Sequence, residues 1–199
     1  MSTRESATAR QAGRPRSERA ERAILEATLD LIGEGMGIAE LSIEAIASRA
    51  GVGKTTIYRR WSNKEDLVVD ALAVLRTPMP PIKGESVRDD LIVMLTAMHA
   101  DAVDGRNRSV MHMAMGESDR YPALLAKFRC LVLEPRREAL RAILERGMAT
   151  GELRADLDTE IALATLNGAV IWHCKWGGGE SGTVLAPRIV DQLMSGLTG

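Results

Sequence analysis

The stretch Leu41-Ser-Ile-Glu-Ala-Ile-Ala-Ser-Arg-Ala-Gly51-Val-Gly-Lys-Thr-Thr-Ile-Tyr58-Arg-Arg-Trp-Ser-Asn-Lys64 decides the fold of this chain. Ser42 is a good helix cap, because its hydroxyl can accept from an orphan amide of the first turn. Ile43, Ala45, Ile46, Ala47 and Ala50 follow at helical steps, and Gly51 permits the positive φ that a tight reversal needs. A second short helix then runs from about Lys54 to Arg60. Two short helices meeting at a glycine have the layout of a helix-turn-helix, with Ile43, Ile46, Ala47, Val52 and Ile57 as their shared core. Lys54, Thr55, Thr56, Tyr58, Arg59 and Arg60 are left to point largely outward, with Gly53 at the entrance of the second helix. Cations and hydroxyls suit a phosphate backbone, since each cation releases condensed counterions and each hydroxyl offers a hydrogen bond. Lys54 stands where it can reach a guanine O6 or N7, and the methyls of Thr55 and Thr56 can meet thymine methyls. Tyr58 and Lys64 are expected to clamp phosphates on either side.

Upstream, Ile24, Leu25, Thr28, Leu31 and Ile32 recur at three- and four-residue steps, which predicts a helix after Ser17 that the glycine-rich run 33–37 ends. Residues 1–16 are polar and aperiodic and are expected to form a flexible basic arm. Its Gly13-Arg14-Pro15-Arg16 has the extended, arginine-containing form that enters a narrow minor groove, so Arg14 and Arg16 are candidate contacts, against the alternative of a solvated tail. Downstream, Ser62-Asn63-Lys64-Glu65 fits a capping box for a helix carrying Leu67, Val68, Ala71, Leu72 and Leu75. The prolines at 78, 80 and 81 stop it and place a hinge there or just before. Helical periods continue with Val87, Leu91, Met94, Leu95 and Met98, with 110–115, and with a long segment 122–148 that Pro135 should kink or split. A turn at Thr150-Gly151-Glu152-Leu153, a helix opened by Asp158, a loop at 177–179 and a final helix 184–197 complete the chain. No period-two strand pattern occurs, so the expected fold is all-α, with about nine helices in all. Residues 17–76 are expected to form the helix-turn-helix unit and 77–199 a larger helical unit.

Composition narrows the possible functions. The formal net charge is -1 with a pI of about 6.3, so affinity for a polyanion must come from a local concentration of charge. Arg49, Lys54, Arg59, Arg60 and Lys64 supply one, with no acid between them. Cys130 and Cys174 are too few for a disulfide framework and are expected to be buried small hydrophobes. No leader-like apolar run and no stretch of about 20 apolar residues is present, so a cytoplasmic protein without a membrane partner is expected.

These residues resemble the TetR family of regulators. The resemblance rests on Gly51-Val52, Tyr58, the aromatic Trp61 and the Asn63-Lys64-Glu65 helix start. It covers residues 19–72; beyond them it is architectural, with the Gly151-Glu152-Leu153-Arg154 turn in common. It implies phosphate contacts from Ser42, Tyr58 and Lys64, and base-edge contacts from Lys54, Thr55, Thr56 and Arg60. One departure stands out: Glu44 occupies a position where several members carry a basic or polar groove-reading residue. Such an acid either reads a cytosine N4 amine or stays off the DNA; the second is favoured, because phosphates repel a lone carboxylate and helix N-termini attract acids anyway.

The resemblance further implies a homodimer on a pseudo-palindromic operator of double-stranded DNA, acting as a repressor that a small-molecule effector releases. By the same analogy the last two helices dimerise, through Ile161, Thr165, Gly168, Ala169 and Trp172 on one and Ile189, Val190, Leu193, Met194 and Leu197 on the other. An adaptable apolar pocket is expected from Met94, Met98, His99, Met111, Met113, Phe128 and Trp172, although a methionine stripe is more often plain core. The alternative is an architectural or recombination-type DNA-binding protein without sensing; the size of the second unit, which adds no basic patch, argues against it. An enzyme is not expected. Gly53-Lys54-Thr55 mimics the end of a phosphate-binding loop, but position 48 is Ser and the preceding segment is helical. No catalytic pattern, cofactor motif or metal-ligand spacing is present; His112, His173 and Cys174 are a conceivable but disfavoured metal set.

Overall fold

The computed structural model describes residues 14–74, 78–117, 119–177 and 179–197, and these contain helices and turns but no strand. Ten helices follow one another: α1 Arg14–Gly33, α2 Ile43–Ala50, α3 Lys54–Tyr58, α4 Lys64–Val74, α5 Val87–Val103, α6 Gly105–Gly116, α7 Pro122–Phe128, α8 Glu134–Thr150, α9 Thr159–Trp176 and α10 Gly182–Leu197. A π-helical turn, Arg129–Leu133, joins α7 to α8 without leaving helical dihedrals, so the ten helices make nine rods. This turn is how the chain accommodates Pro135. A proline inside a helix clashes with the carbonyl four residues back, and a locally widened turn just before it relieves the crowding. The expected kink is therefore a bulge within a continuous rod.

The chain builds two apolar cores and crosses between them three times. The first core holds Ile24, Leu29, Ile32, Ile46, Ile57, Trp61, Leu67 and Leu72 of α1–α4, but also Val110, Met113 and Ala114 of α6, Leu124 and Phe128 of α7, and Val132 of the π turn. The second holds Val87, Leu91, Met94 and Leu95 of α5 with Leu140, Ile143 and Leu144 of α8, Leu163, Leu166 and Val170 of α9, and Leu185 and Val190 of α10. The crossings fall in the connection after α4, at the elbow between α5 and α6, and where the π turn becomes α8. At the elbow, Asp104 accepts the Asn107 amide at 2.9 Å and so starts α6 one residue after α5 stops. The first core is thus not confined to residues 17–76; α6 and α7 complete it.

Polar links fasten α6 and its end to α1 and the α1–α2 connection. Arg106 donates to Glu26 of α1 at 2.6 Å and lies 3.6 Å from Asp30, and the Ser109 hydroxyl donates to the Gly33 carbonyl at 3.1 Å. Just past the end of α6, Glu117 accepts the Ile38 amide at 3.0 Å. In the second core Asp90, 3% exposed, accepts from Arg146 of α8 at 2.6 Å and from the Gly84 amide at 3.1 Å. The expected cysteine burial holds only in part: Cys174 is half-buried, and burial raises its thiol pKa, whereas Cys130 is exposed on the outer face of the π turn. Among the described residues no helix is long and apolar enough to cross a membrane, and no three His, Cys, Asp or Glu side chains are grouped to hold a metal ion.

Candidate nucleic-acid interface

Local chemistry positions α2 and α3. Ser42 caps α2, its hydroxyl accepting the Ala45 amide at 3.1 Å. Gly51 closes the helix in the left-handed region at φ 65°, and the Val52 amide bonds back to the Ala47 carbonyl at 3.0 Å, a helix-ending loop that few residues with a Cβ adopt without strain. Gly53, in an extended conformation, then starts α3. Ile46 and Ile57, both without exposed surface, bolt the two helices to α1 and α4.

On the outer surface stand Tyr58, 58% exposed, together with Lys54, Thr55 and Arg59, all exposed, and Thr56, half-buried. Three of the expected contact residues have other partners. Arg60 lies along α3 with only 12% of its side chain exposed, donating to the Thr56 carbonyl at 2.9 Å and to the Ser17 carbonyl and hydroxyl at 3.0 and 2.8 Å. It ties α3 to the first turns of α1 and is not aimed outward to read a base. Lys64 donates to the Leu41 carbonyl at 2.9 Å and, at 3.5 Å, to that of Ala39, holding the α1–α2 connection against α4; an ammonium has a third donor, which remains for a phosphate. Lys54 pairs with Glu44 across the turn, Nζ to Oε1 at 2.6 Å, with both side chains more than half exposed. The hydrogen bond from Lys54 holds the Glu44 carboxyl below its usual pKa, and the same bond raises that of Lys54.

Two further expectations change here. Helix α1 already includes Arg14, Pro15 and Arg16, so the stretch expected as an extended minor-groove arm is helical from Arg14 onward; Gly13 and the rest of the arm lie outside the described residues. Proline fits this first turn because its missing amide hydrogen has no intrahelical acceptor to lose. The cap of α4 is Asn63, not Ser62: Asn63 Oδ1 accepts the Asp66 amide at 2.7 Å, shifting the capping box by one residue.

The residues expected to line one ligand pocket are divided between the two cores and the surface. Met111, Met113 and Phe128 pack in or against the first core, Met94 and Met98 in or against the second, and Trp172 is 66% exposed. His99 is buried where its ring covers Gly182, at whose position a Cβ would come within 2.9 Å of Nδ1. Sequence periodicity shows which face of a helix is apolar, but not which of two cores that face enters. Two open clefts lie elsewhere, one between the α1–α2 connection and the end of α6 beside Glu117 and Arg120, the other between α4 and α7 beside Val69 and Tyr121.

The expected dimer residues divide in a different way. On α9, Thr165 and Gly168 are exposed in line with Ile161, Ile171, Trp172 and Trp176, an apolar stripe left exposed by the described residues, while Ala169 is half-buried. On α10, Ile189 and Val190 are inside the second core and Leu193 and Met194 pack against its edge, so that α10 stripe closes the monomer.

Comparison with known proteins agrees with this architecture. The family described as bacterial regulatory proteins, tetR family, matches residues 24–71, and the tetracyclin repressor-like C-terminal domain matches residues 81–193. The uncharacterized HTH-type transcriptional regulator YdeS of Bacillus subtilis is 34% identical over 171 residues, 84% of each chain. The HTH-type transcriptional regulator AqdR of Rhodococcus erythropolis is 28% identical over 91% of this chain and 86% of its own. Among solved structures, MexZ, a repressor responsible for antibiotic resistance in Pseudomonas aeruginosa, superposes with a TM-score of 0.74 at 18% identity, covering 92% of this chain and 96% of its own, a likeness of fold. With both units matched in order and a reading helix exposed on a buried scaffold, the chain belongs to the TetR family of helix-turn-helix transcriptional regulators.

Proposed function

We propose that this regulator is a cytoplasmic homodimeric repressor that binds a pseudo-palindromic operator through α3 and is released by a small apolar effector. The observation that carries the proposal is the shared first core: α6, α7 and the π turn are packed into the same apolar cluster as the reading helices. Any rearrangement of the second unit that moves α6 or α7 must therefore move the head, because a close-packed core shifts as a body and does not stretch. The effector binds in the second unit, and α6 and α7 carry its effect into the head through the shared core. A differential affinity of a few kcal/mol between two head arrangements is enough to move most of the population.

The exposed α9 stripe supports the dimer. Apolar side chains as large as two tryptophans on one face are what a two-fold helical interface covers, and Gly168, one turn before Trp172 on the same face, lets helices approach closely. Such a dimer holds its two heads about one DNA turn, roughly 34–36 Å, apart. Tyr58, Lys64 and Ser42 serve the phosphates, and Lys54, Thr55 and Thr56 the bases.

The test is a fluorescence-anisotropy titration against DNA from the gene's own upstream intergenic region and against random DNA, at two salt concentrations. Operator binding about a thousandfold tighter than random, at two protomers or a multiple per site, is expected. Equal and strongly salt-sensitive binding to both DNAs would instead indicate an architectural protein.

A further inference from the structure

The ion pair between Glu44 and Lys54 joins two residues ten positions apart across the Gly51 reversal, on the exposed side of α2 and α3. A lone lysine at the start of a reading helix would be drawn to phosphates and bases alike. Tied at 2.6 Å to a carboxylate, it forms a pair with almost no net charge that adds little to attraction for DNA in general. The same pairing removes the argument for keeping Glu44 off the DNA, since phosphates repel a compensated carboxylate far less than a bare one.

The pair presents a pattern. Glu44 Oε1 is engaged, so Oε2 stands beside it as an acceptor; Lys54 Nζ keeps two further N–H donors. In the major groove a C·G pair displays the cytosine N4 amine as a donor next to guanine O6 and N7 as acceptors. Acceptor and donors on the protein side thus match donor and acceptors on the DNA side, adjacent in both. We propose that Glu44 and Lys54 act as one unit that reads a G·C base pair in each operator half-site, Glu44 accepting from cytosine N4 and Lys54 donating to guanine. The inference rests on the reading of this chain as a sequence-specific DNA binder and adds a specificity determinant to it. Affinity for random DNA is left to Tyr58, Arg59 and Lys64.

The experiment is in vitro selection from a randomised DNA library with the wild-type protein and with Glu44→Ala, Glu44→Gln and Lys54→Ala, each first checked for an unchanged circular-dichroism spectrum. The wild type should fix one G·C position symmetrically in the two half-sites. Glu44→Ala and Lys54→Ala should both relax that position and no other, and Glu44→Gln should shift it toward A·T, because a glutamine amide pairs with adenine N6 and N7. On the selected site, exchanging that pair for A·T should weaken the wild type about tenfold to a hundredfold and Glu44→Ala by less than threefold. If Glu44→Ala selects the wild-type motif and merely binds every DNA more tightly, Glu44 is an electrostatic brake and the inference is wrong. It is equally wrong if the two alanine variants relax different positions. A wild-type protein that selects no half-site motif would overturn the regulator reading itself, a result distinct from both.

Discussion

At the scale of single residues, charge type proved a poor guide to role until its partners were known. Lys54, Arg60 and Lys64 read alike in the sequence as a basic cluster, yet one is paired with a carboxylate, one braces two helices and one caps backbone carbonyls. Arg60 donates to two backbone carbonyls and a hydroxyl while nearly covered, so Arg60→Ala should cost about 1–2 kcal/mol of stability, with operator discrimination unchanged once the protein is folded. Denaturant unfolding beside a specificity titration checks this, and a variant of wild-type stability with altered base preference would return Arg60 to the bases. Lys64→Ala should lower operator and random affinity alike and reduce the slope of log K against log salt by about 0.9, one phosphate's worth. An unchanged slope would leave Lys64 with its structural bonds alone. Sequence pattern located the outward face of α3 but not these partners, because Glu44, Ser17 and Leu41 are 10, 43 and 23 residues away from the cations they meet.

At the scale of elements, caps and breakers were legible because they act within a few residues. Ser42, Gly51, Gly151 and Asp158 all sit at the helix ends where their chemistry places them. The one-residue shift from Ser62 to Asn63 shows the limit, since both side chains can cap and the neighbouring turn decides between them. Gly147 is different. It lies inside α8, where glycine is unfavourable by about 1 kcal/mol relative to alanine, yet a Cβ there would stand 2.8 Å from Leu153 Cγ and 2.9 Å from Val87 Cγ2. Neither neighbour retreats easily, because Val87 is β-branched and Leu153 is buried. Gly147→Ala should therefore lower stability by about 1 kcal/mol, or about 3 °C in Tm, against the direction that helix propensity alone dictates. A calorimetric rise in Tm would show that the crowding relaxes.

At the scale of the whole molecule, the shared core packs α6 and α7 into the head, so head and second unit are expected to unfold together. Thermal unfolding in calorimetry should show no separate transition for residues 17–74, since removing α6 and α7 would expose Leu67, Leu72 and their neighbours. A resolved low-temperature transition that abolishes DNA binding and leaves the remaining helices intact would contradict this coupling. The α9 stripe belongs to the same scale. Trp172→Glu places charges against each other across the proposed two-fold contact and should yield monomers in sedimentation, with operator affinity falling at least a hundredfold while random-DNA binding changes little. Dimers that persist in this variant would move the interface elsewhere.

What the sequence by itself determined was everything that acts over a turn or two: an all-α chain, the helix-turn-helix at 42–60, its caps, and the family to which the motif belongs. Local chemistry suffices there, because a cap or a left-handed glycine meets its partners within about five residues. Only the tertiary structure decided that α6 and α7 complete the head's core, that the methionines divide between two cores, and that Glu44 and Lys54 meet. Those outcomes depend on which apolar faces find one another across tens of residues. Hydrophobic burial is non-directional, so a periodic stripe states that a face will be covered and not by what.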